Sequence, residues 1–286
     1  MLKKIIFILS EDYFTFIKEH FYTIEQTVTP HGASIELFTN SRFSQNRNII
    51  LPTTETLFIT DTPETLRYLL QVHAYVIALY HEKNKHCSFP GAHYAVENIP
   101  ELEYRSYEET YRRLAGLPWK ILETERLLVR ESTPLDIPDF YCIYQHPSIT
   151  NHMEPLFENP EEEKAYLEDY IKQVYGFYGF GIWTVLLKET GKVIGRAGLN
   201  IREGYSYPEL GFVIDTAFQN RGLAYEVCTA ILQYAREELE LDCLQAFVKS
   251  GNTASIKLLE KLGFLFDREI LEGTQDYLLY RIFLHN

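Results

Sequence analysis

The chain has 286 residues, a length that favours two domains with a core in each. Its hydrophobic fraction of 46% fits folded domains and excludes a disordered chain, while a net charge of −13 argues against nucleic acid and anionic membrane as partners. No apolar run approaches the ~20 residues of a membrane span, and Cys87, Cys142, Cys228 and Cys243 lack metal or redox spacing, as expected of reduced thiols in a cytoplasmic protein.

The opening, MLKKIIFILSEDYF, has two lysines and a short apolar run but no small-residue cleavage site. It reads as a first buried strand and not as a signal peptide. Strands are expected at residues 4–9, 34–38, 56–60, 75–79 and 92–96, and helices at 12–22, 63–71 and 107–115. Thr62 before Pro63 has the form of an N-cap with proline in the first helical position. Ser106-Tyr107-Glu108-Glu109 has the form of a capping box. This rhythm predicts a small, mainly parallel sheet with helices packed on it. Gly116-Leu117-Pro118 ends the last helix, which divides the chain into domains at 1–117 and 118–286.

The second part opens with a strand at 125–131, followed by helical material over 135–174. Asn159-Pro160-Glu161 marks a helix start with acids at the positive end of the dipole. A hairpin follows, 182–187 and 193–199, then a strand at 210–214 and a helix at 223–239. Strand 244–248, helix 253–262 between Asn252 and Gly263, and strands 264–269 and 277–283 close the chain.

The segment with chemical content runs from Glu209 through Phe212, Val213 and Ile214 into Gln219-Asn220-Arg221-Gly222-Leu223-Ala224. Here a strand enters a turn and a helix begins. A helix start offers unpaired N–H groups and partial positive charge, and a loop wrapped over it cradles a pyrophosphate. Gly222 removes a Cβ, Ala224 is small, and Arg221 is placed either to touch the anion or to face water.

Gln219, Gly222 and Ala224 match the Arg/Gln-x-x-Gly-x-Gly/Ala loop of the GNAT superfamily. The later block from Asn252 and Ser255 to Gly263-Phe264 resembles that family's other cofactor segment. The resemblance covers residue 121 to the C-terminus and is closest to the branch that acetylates ribosomal-protein N-termini and related amines. It implies an α/β fold with a mixed, splayed central sheet flanked by helices. It also implies acetyl-CoA as cosubstrate with no metal, and transfer of the acetyl group directly to a primary amine. In that fold the pantetheine arm lies between the strands at 210–214 and 244–248 and bonds to the main chain of Phe212 and Ile214.

An alkyl amine is mostly protonated at pH 7 and must lose a proton before attack. Glu209 is the candidate base; a salt-bridged surface glutamate is its competing role. Glu226, one turn into the helix, is suited to orienting the loop. Many members of the family carry a tyrosine seven residues after the asparagine as the acid for the leaving thiolate. This chain has Leu259 there, so Ser255 or water is left to act, and Ser255 equally suits helix capping. Asn252 is expected at the cofactor and as an N-cap. The acceptor pocket is expected from the 135–174 helices and from Tyr175-Gly-Phe-Tyr-Gly-Phe180, which also suits plain packing. Glu158, Glu161, Glu162 and Glu163 either attract a cation or solvate a helix start.

In the first part, residues 56–61 followed by Thr62-Pro63 and a helix faintly resemble haloacid-dehalogenase-like folds. That family's nucleophile position is occupied here by Ser10, which argues against phosphatase chemistry. Asp61 is either a surviving ligand position or a helix cap. His81, His86, Cys87 and His93 match no standard metal site. A binding or interaction module is the expectation for this part. The alternative to an enzyme is an acyl-CoA-binding sensor.

Overall fold

The computed structural model describes residues 1–45, 53–273 and 275–284. The chain forms two compact units, residues 1–119 and 120–286.

The first unit is a five-stranded parallel sheet in the order β2-β1-β3-β4-β5, formed by β1 (Lys4–Leu9), β2 (Ser34–Thr39), β3 (Thr56–Thr60), β4 (Tyr75–Leu79) and β5 (Ala95–Val96). Parallel strands covered on both faces need apolar residues at every position. Accordingly Ile5, Phe7 and Leu9 join one core while Ile6 and Ile8 join the other. Helices α1 (Glu11–Glu19), α2 (Phe21–Val28) and α5 (Tyr104–Leu114) serve the first core. Helices α3 (Asn40–Gln45) and α4 (Pro63–Gln71) serve the second.

Three local expectations need correction. The helix expected at 12–22 is two helices that meet at His20. The strand expected from 92 shrinks to Ala95–Val96, paired only at the end of β4. The capping box at Ser106 does not form, because the helix starts at Tyr104, whose hydroxyl donates to Glu108 at 3.0 Å and so ties the first turn down. Thr62 does precede α4, but its hydroxyl donates to Asn40 Oδ1 at 3.2 Å and makes no cap bond.

The second unit is an eight-stranded mixed sheet, β12-β13-β11-β10-β9-β8-β7-β6. Its strands are β6 (Lys120–Glu123), β7 (Leu127–Arg130), β8 (Ile182–Leu187), β9 (Val193–Asn200), β10 (Glu209–Ile214), β11 (Cys243–Lys249), β12 (Leu265–Glu272) and β13 (Gln275–Phe283). One face carries α6 (Ile137–Tyr144), α7 (Pro147–Thr150) and α8 (Pro160–Tyr170), whose apolar residues pack on Val193 and Val213. After α8 comes one π-helical turn, Ile171–Tyr175, and then the short α9 (Gly176–Tyr178). The other face carries α10 (Leu223–Glu237), where Tyr234 meets Trp183 edge-on at 5.7 Å. Helix α11 (Thr253–Lys261) connects β11 to β12.

Candidate active site

Strands β10 and β11 are neighbours, yet they pair at one register position only, Glu209 with Gln245. The Gln245 N–H donates to Pro208 C=O at 2.9 Å, and there the ladder stops. On its other side β10 is paired with β9 from Glu209 to Ile214. Asp215 N–H donates to Ile194 C=O at 2.8 Å, so by strand alternation Val213 and Gly211 also turn their main-chain groups to β9. Phe212 and Ile214 therefore turn theirs toward β11, past the point where the two strands part. This is a sheet edge inside a sheet, ready to accept an extended ligand as an added strand.

The loop after β10 is concave. Asp215 caps its first turn by accepting from Ala217 N–H at 3.0 Å. Gln219 folds back, its Nε2 donating to Ile214 C=O at 2.8 Å. Asn220 and Gly222 have φ of 61° and 76°, with Arg221 between them outside the positive-φ region. Alternating handedness turns successive N–H groups to one side, the form of an anion-binding nest. Glycine at 222 is required by its backbone angle: a Cβ there would meet nothing nearer than Arg126 Nη2 at 3.7 Å. The first intrahelical bond of α10 is Glu226 N–H to Gly222 C=O at 3.0 Å. The amides of Leu223, Ala224 and Tyr225 thus have no partner within the helix. Arg221 donates to Ala217 C=O at 3.0 Å and so braces the loop.

Glu226 anchors this loop to β7. Its carboxylate accepts from Thr124 Oγ1 at 2.5 Å and pairs with the Arg126 guanidinium at 2.5 Å. Arg126 also donates to Arg221 C=O at 3.0 Å. Burial opposes ionisation of Glu226, but these donors outweigh it and hold its carboxyl below the ordinary range.

Glu209 opens β10 with 15% of its side chain exposed. Arg202 reaches its Oε2 at 3.1 Å and also pairs with Glu272. Arg202 lies over the Phe247 ring at 4.3 Å. Burial pushes the Glu209 carboxyl up from its ordinary value despite the Arg202 charge, and Glu272 and Glu154 push the same way. The salt-bridged glutamate of the sequence reading is therefore present, with a carboxyl that burial biases toward holding a proton. Opposite it, Gln245 is fully buried; its Nε2 donates to Tyr207 C=O at 2.5 Å, and its Oε1 has no hydrogen-bond partner among the described residues.

Asn252 caps α11, its side chain accepting from Ser255 N–H at 3.1 Å. The cap uses the Ser255 main chain and leaves the half-buried hydroxyl out of that bond. Leu259 is 1% exposed and belongs to the core, with no hydroxyl to offer a leaving group. The aromatic loop divides: Tyr175 and Phe180 are buried, while Phe177 and Tyr178 are exposed. Among the glutamates at the start of α8, Glu163 is buried and accepts from Phe157 N–H at 3.1 Å, so it shapes the turn. Glu158, Glu161 and Glu162 are exposed.

Arg126, Arg202, Gln245 and Arg196 were not singled out from the sequence. Each acquires its meaning from a partner on another strand or helix, which no local pattern records. In the first unit, Ser10 and Asp61 come together at the ends of β1 and β3. Ser10 donates its N–H and its hydroxyl to the buried Asp61 carboxylate at 2.8 and 2.5 Å, and His81 Nε2 lies 3.1 Å from it. Asp61 is thus a tie between strand ends and not a helix cap. Among the described residues no group of three or more His, Cys, Asp or Glu is arranged to hold a metal ion. No helix among them is long and apolar enough to cross a membrane.

The family described as acetyltransferase (GNAT) domain matches residues 126–265. The uncharacterized N-acetyltransferase p20 of Bacillus licheniformis is 30% identical over 148 residues, 50% of this chain and 81% of that protein. The [ribosomal protein uS5]-alanine N-acetyltransferase of Escherichia coli (strain K12) is 27% identical over 180 residues, 58% of this chain and 86% of that one. Among solved structures, a ribosomal L7/L12 α-N-protein acetyltransferase superposes with a TM-score of 0.51 at 14% identity, covering 58% of this chain and 95% of that one. The family match lies within the second unit, so the faint haloacid-dehalogenase-like resemblance of the first gains no support from it. The single rung at Glu209, the loop that follows it and these likenesses converge: the chain belongs to the GNAT family and is an acyltransferase of the N-acetyltransferase kind.

Proposed function

We propose that the second unit transfers the acetyl group of acetyl-CoA directly to a primary amine, a peptide N-terminus or a small amine. The observation that carries this reading is the placement of the Phe212 main-chain groups and the Ile214 N–H, which no β11 rung takes up, beside the Asn220–Gly222 nest. One strand thereby offers edge amides to a pantetheine arm and N–H groups to a pyrophosphate within a few residues, a fit that neither feature provides alone. Gln219, Asn220, Arg221, Gly222, Leu223 and Ala224 hold the diphosphate, and Phe212, Val213 and Ile214 line the arm. Asn252 and Ser255 border it from α11.

Acetyl-CoA supplies an activated acetyl thioester. Glu209 takes one proton from the acceptor ammonium, directly or through water, and burial, which pushes its carboxyl up from the ordinary value, makes it a stronger base than a free glutamate. The freed nitrogen pair forms the new C–N bond as the C–S bond breaks. A β10 main-chain N–H holds the charge that develops on the carbonyl oxygen. The acylated nitrogen still carries a second surplus proton, which Ser255 or water relays to the departing thiolate, leaving a neutral amide and free thiol. The amine attacks directly, without a serine or cysteine nucleophile.

Titration of the purified protein with coenzyme A, followed by a thiol-release screen with acetyl-CoA and a panel of amines and peptides, tests the reading. Saturable binding with turnover on an amine is the expected result. Binding without turnover on any acceptor would leave an acyl-CoA sensor in its place. Absence of binding would remove the reading altogether.

A further inference from the structure

Arg196 is the least expected charge in the second unit. It lies on β9, directly opposite Val213 of β10 and Thr184 of β8. Its guanidinium is 4.6 Å from the centre of the Phe140 ring on α6, so it is on the face covered by α6 and α8. Tyr144 of α6 shares a hydrogen bond with it, and Tyr170 and Tyr175 lie close enough to feel its charge. Arg196 Nε is shut off from solvent and has no hydrogen-bond partner among the described residues. The carboxylates nearby on that face are committed elsewhere: Asp136 to Arg130 at 2.6 Å, Thr133 N–H at 2.8 Å and Thr184 at 3.0 Å, and Glu163, whose charge reaches Tyr144, to Phe157 N–H at 3.1 Å. In a chain of net charge −13, this half-buried cation is set among rings and pairs with no acid among the described residues.

A half-buried guanidinium whose Nε has lost its water is poorly compensated until a counter-ion reaches it. Its planar fork matches a carboxylate. The surrounding backbone is specialised as well. The π turn Ile171–Tyr175 spaces Tyr170 and Tyr175 one wide turn apart, with their rings edge to face at 5.2 Å. Such turns interrupt helices frequently at functional sites. The position is also apt, because Val213, opposite Arg196, lies between the two residues whose main chain faces the gap.

We propose that Arg196, with Tyr144, is a specificity determinant that receives a carboxylate carried by the acceptor. This rests on the acetyl-transfer reading above, with Glu209 at the amine. Glu209 and Val213 are four residues apart on β10, roughly 13 Å of strand, and Arg196 is one strand over. An α-amino acid is too short for that separation, even after the side chains lean together. An extended peptide spans it in about three residues. The acceptor is therefore a peptide N-terminus with an aspartate or glutamate two or three residues from the amine.

The test uses the whole protein, acetyl-CoA and matched pentapeptides with Asp or Asn at the third or fourth residue, with free aspartate and glutamate as a separate arm. The expected result is a KM about tenfold lower for the Asp peptides than for their Asn twins, a difference typical of a hydrogen bond to a charged group. Arg196→Met should remove the preference by raising KM for the Asp peptides alone, and Arg196→Lys should keep part of it. Equal KM for Asp and Asn peptides in the unaltered protein would overturn the inference. So would a loss in Arg196→Met that is equal for both, or faster turnover of the free amino acids. The peptide series on the unaltered protein decides the matter even if a variant folds badly. Acetylation of Asn and Asp peptides alike would sink this inference and leave acetyl transfer standing, whereas no thiol release on any acceptor would sink acetyl transfer.

Discussion

Glu226 in the first turn of α10 and Arg126 at the entrance to β7 are ion-paired at 2.5 Å across 100 residues of chain. The pair joins the loop that follows β10 to the opposite side of the sheet. Arg126 also holds Arg221 C=O, so its removal or mispairing reaches the nest directly. Glu226→Ala is expected to weaken coenzyme A binding about tenfold, because the loop loses bonds made to a charged group. Calorimetric titration reads this, and unchanged affinity would show that the loop holds its shape without the anchor.

Glu209→Gln should lower kcat about a hundredfold at neutral pH while leaving coenzyme A affinity within twofold. In the proposed mechanism the deprotonated carboxylate is the working form, so activity should be lost as pH falls through the Glu209 pKa. Burial raises that pKa, which moves the acid limb of kcat/KM above the ordinary glutamate range. The variant should lack this limb. A profile that keeps it would assign the limb, and the base, to another group.

At position 222 the demand is for positive φ, not for space. Gly222→Asn should therefore retain more coenzyme A affinity than Gly222→Ala, since asparagine tolerates the left-handed region and alanine meets about 1 kcal/mol of strain there. Gly222→Glu should bind worst, because it adds like charge next to the diphosphate. An order in which alanine outperforms asparagine would point to crowding as the true constraint.

Asp136 is largely buried and bonded to Arg130, Thr133 and Thr184. Burial alone would raise its pKa, but these donors outweigh burial and hold it below the ordinary aspartate value of 3.8. A depressed folded-state pKa gives stability that is complete above the unfolded value and is lost as pH falls through the folded one. Asp136→Asn should cost about 3 kcal/mol at pH 7, since it leaves Arg130 without its partner. The gap in Tm between the two proteins should close as pH drops from 5 toward 2. A gap independent of pH would show that charge is not what Asp136 contributes.

Local patterns carried much of this architecture. Strands 4–9, 56–60, 75–79 and 182–187 and helix 63–71 occur as read, because β-branched and aromatic runs between turn residues, or proline in a first turn, are local signals. The Glu209-to-Ala224 segment was legible because strand, loop and helix are contiguous there. Hidden were β6 (Lys120–Glu123), whose pairing with β7 adds an edge to the sheet, and the break at His20, where a continuous apolar pattern crosses two helices. Also hidden was every role that depends on a distant partner: Arg202 bridging Glu209 and Glu272, Arg126 holding Glu226, and Arg196 under its tyrosines. Residue type alone makes these arginines ordinary surface cations. Only the fold brings an acid to the first two and withholds one from the third.

The lone rung between Glu209 and Gln245 has a mechanical consequence. The sheet is built as two plates, β6 to β10 and β11 to β13, joined at one seam. A ligand that slid into that seam and bonded to both margins would join the two plates into one, so under the proposed reading capture of the thioester and resistance to unfolding become the same event.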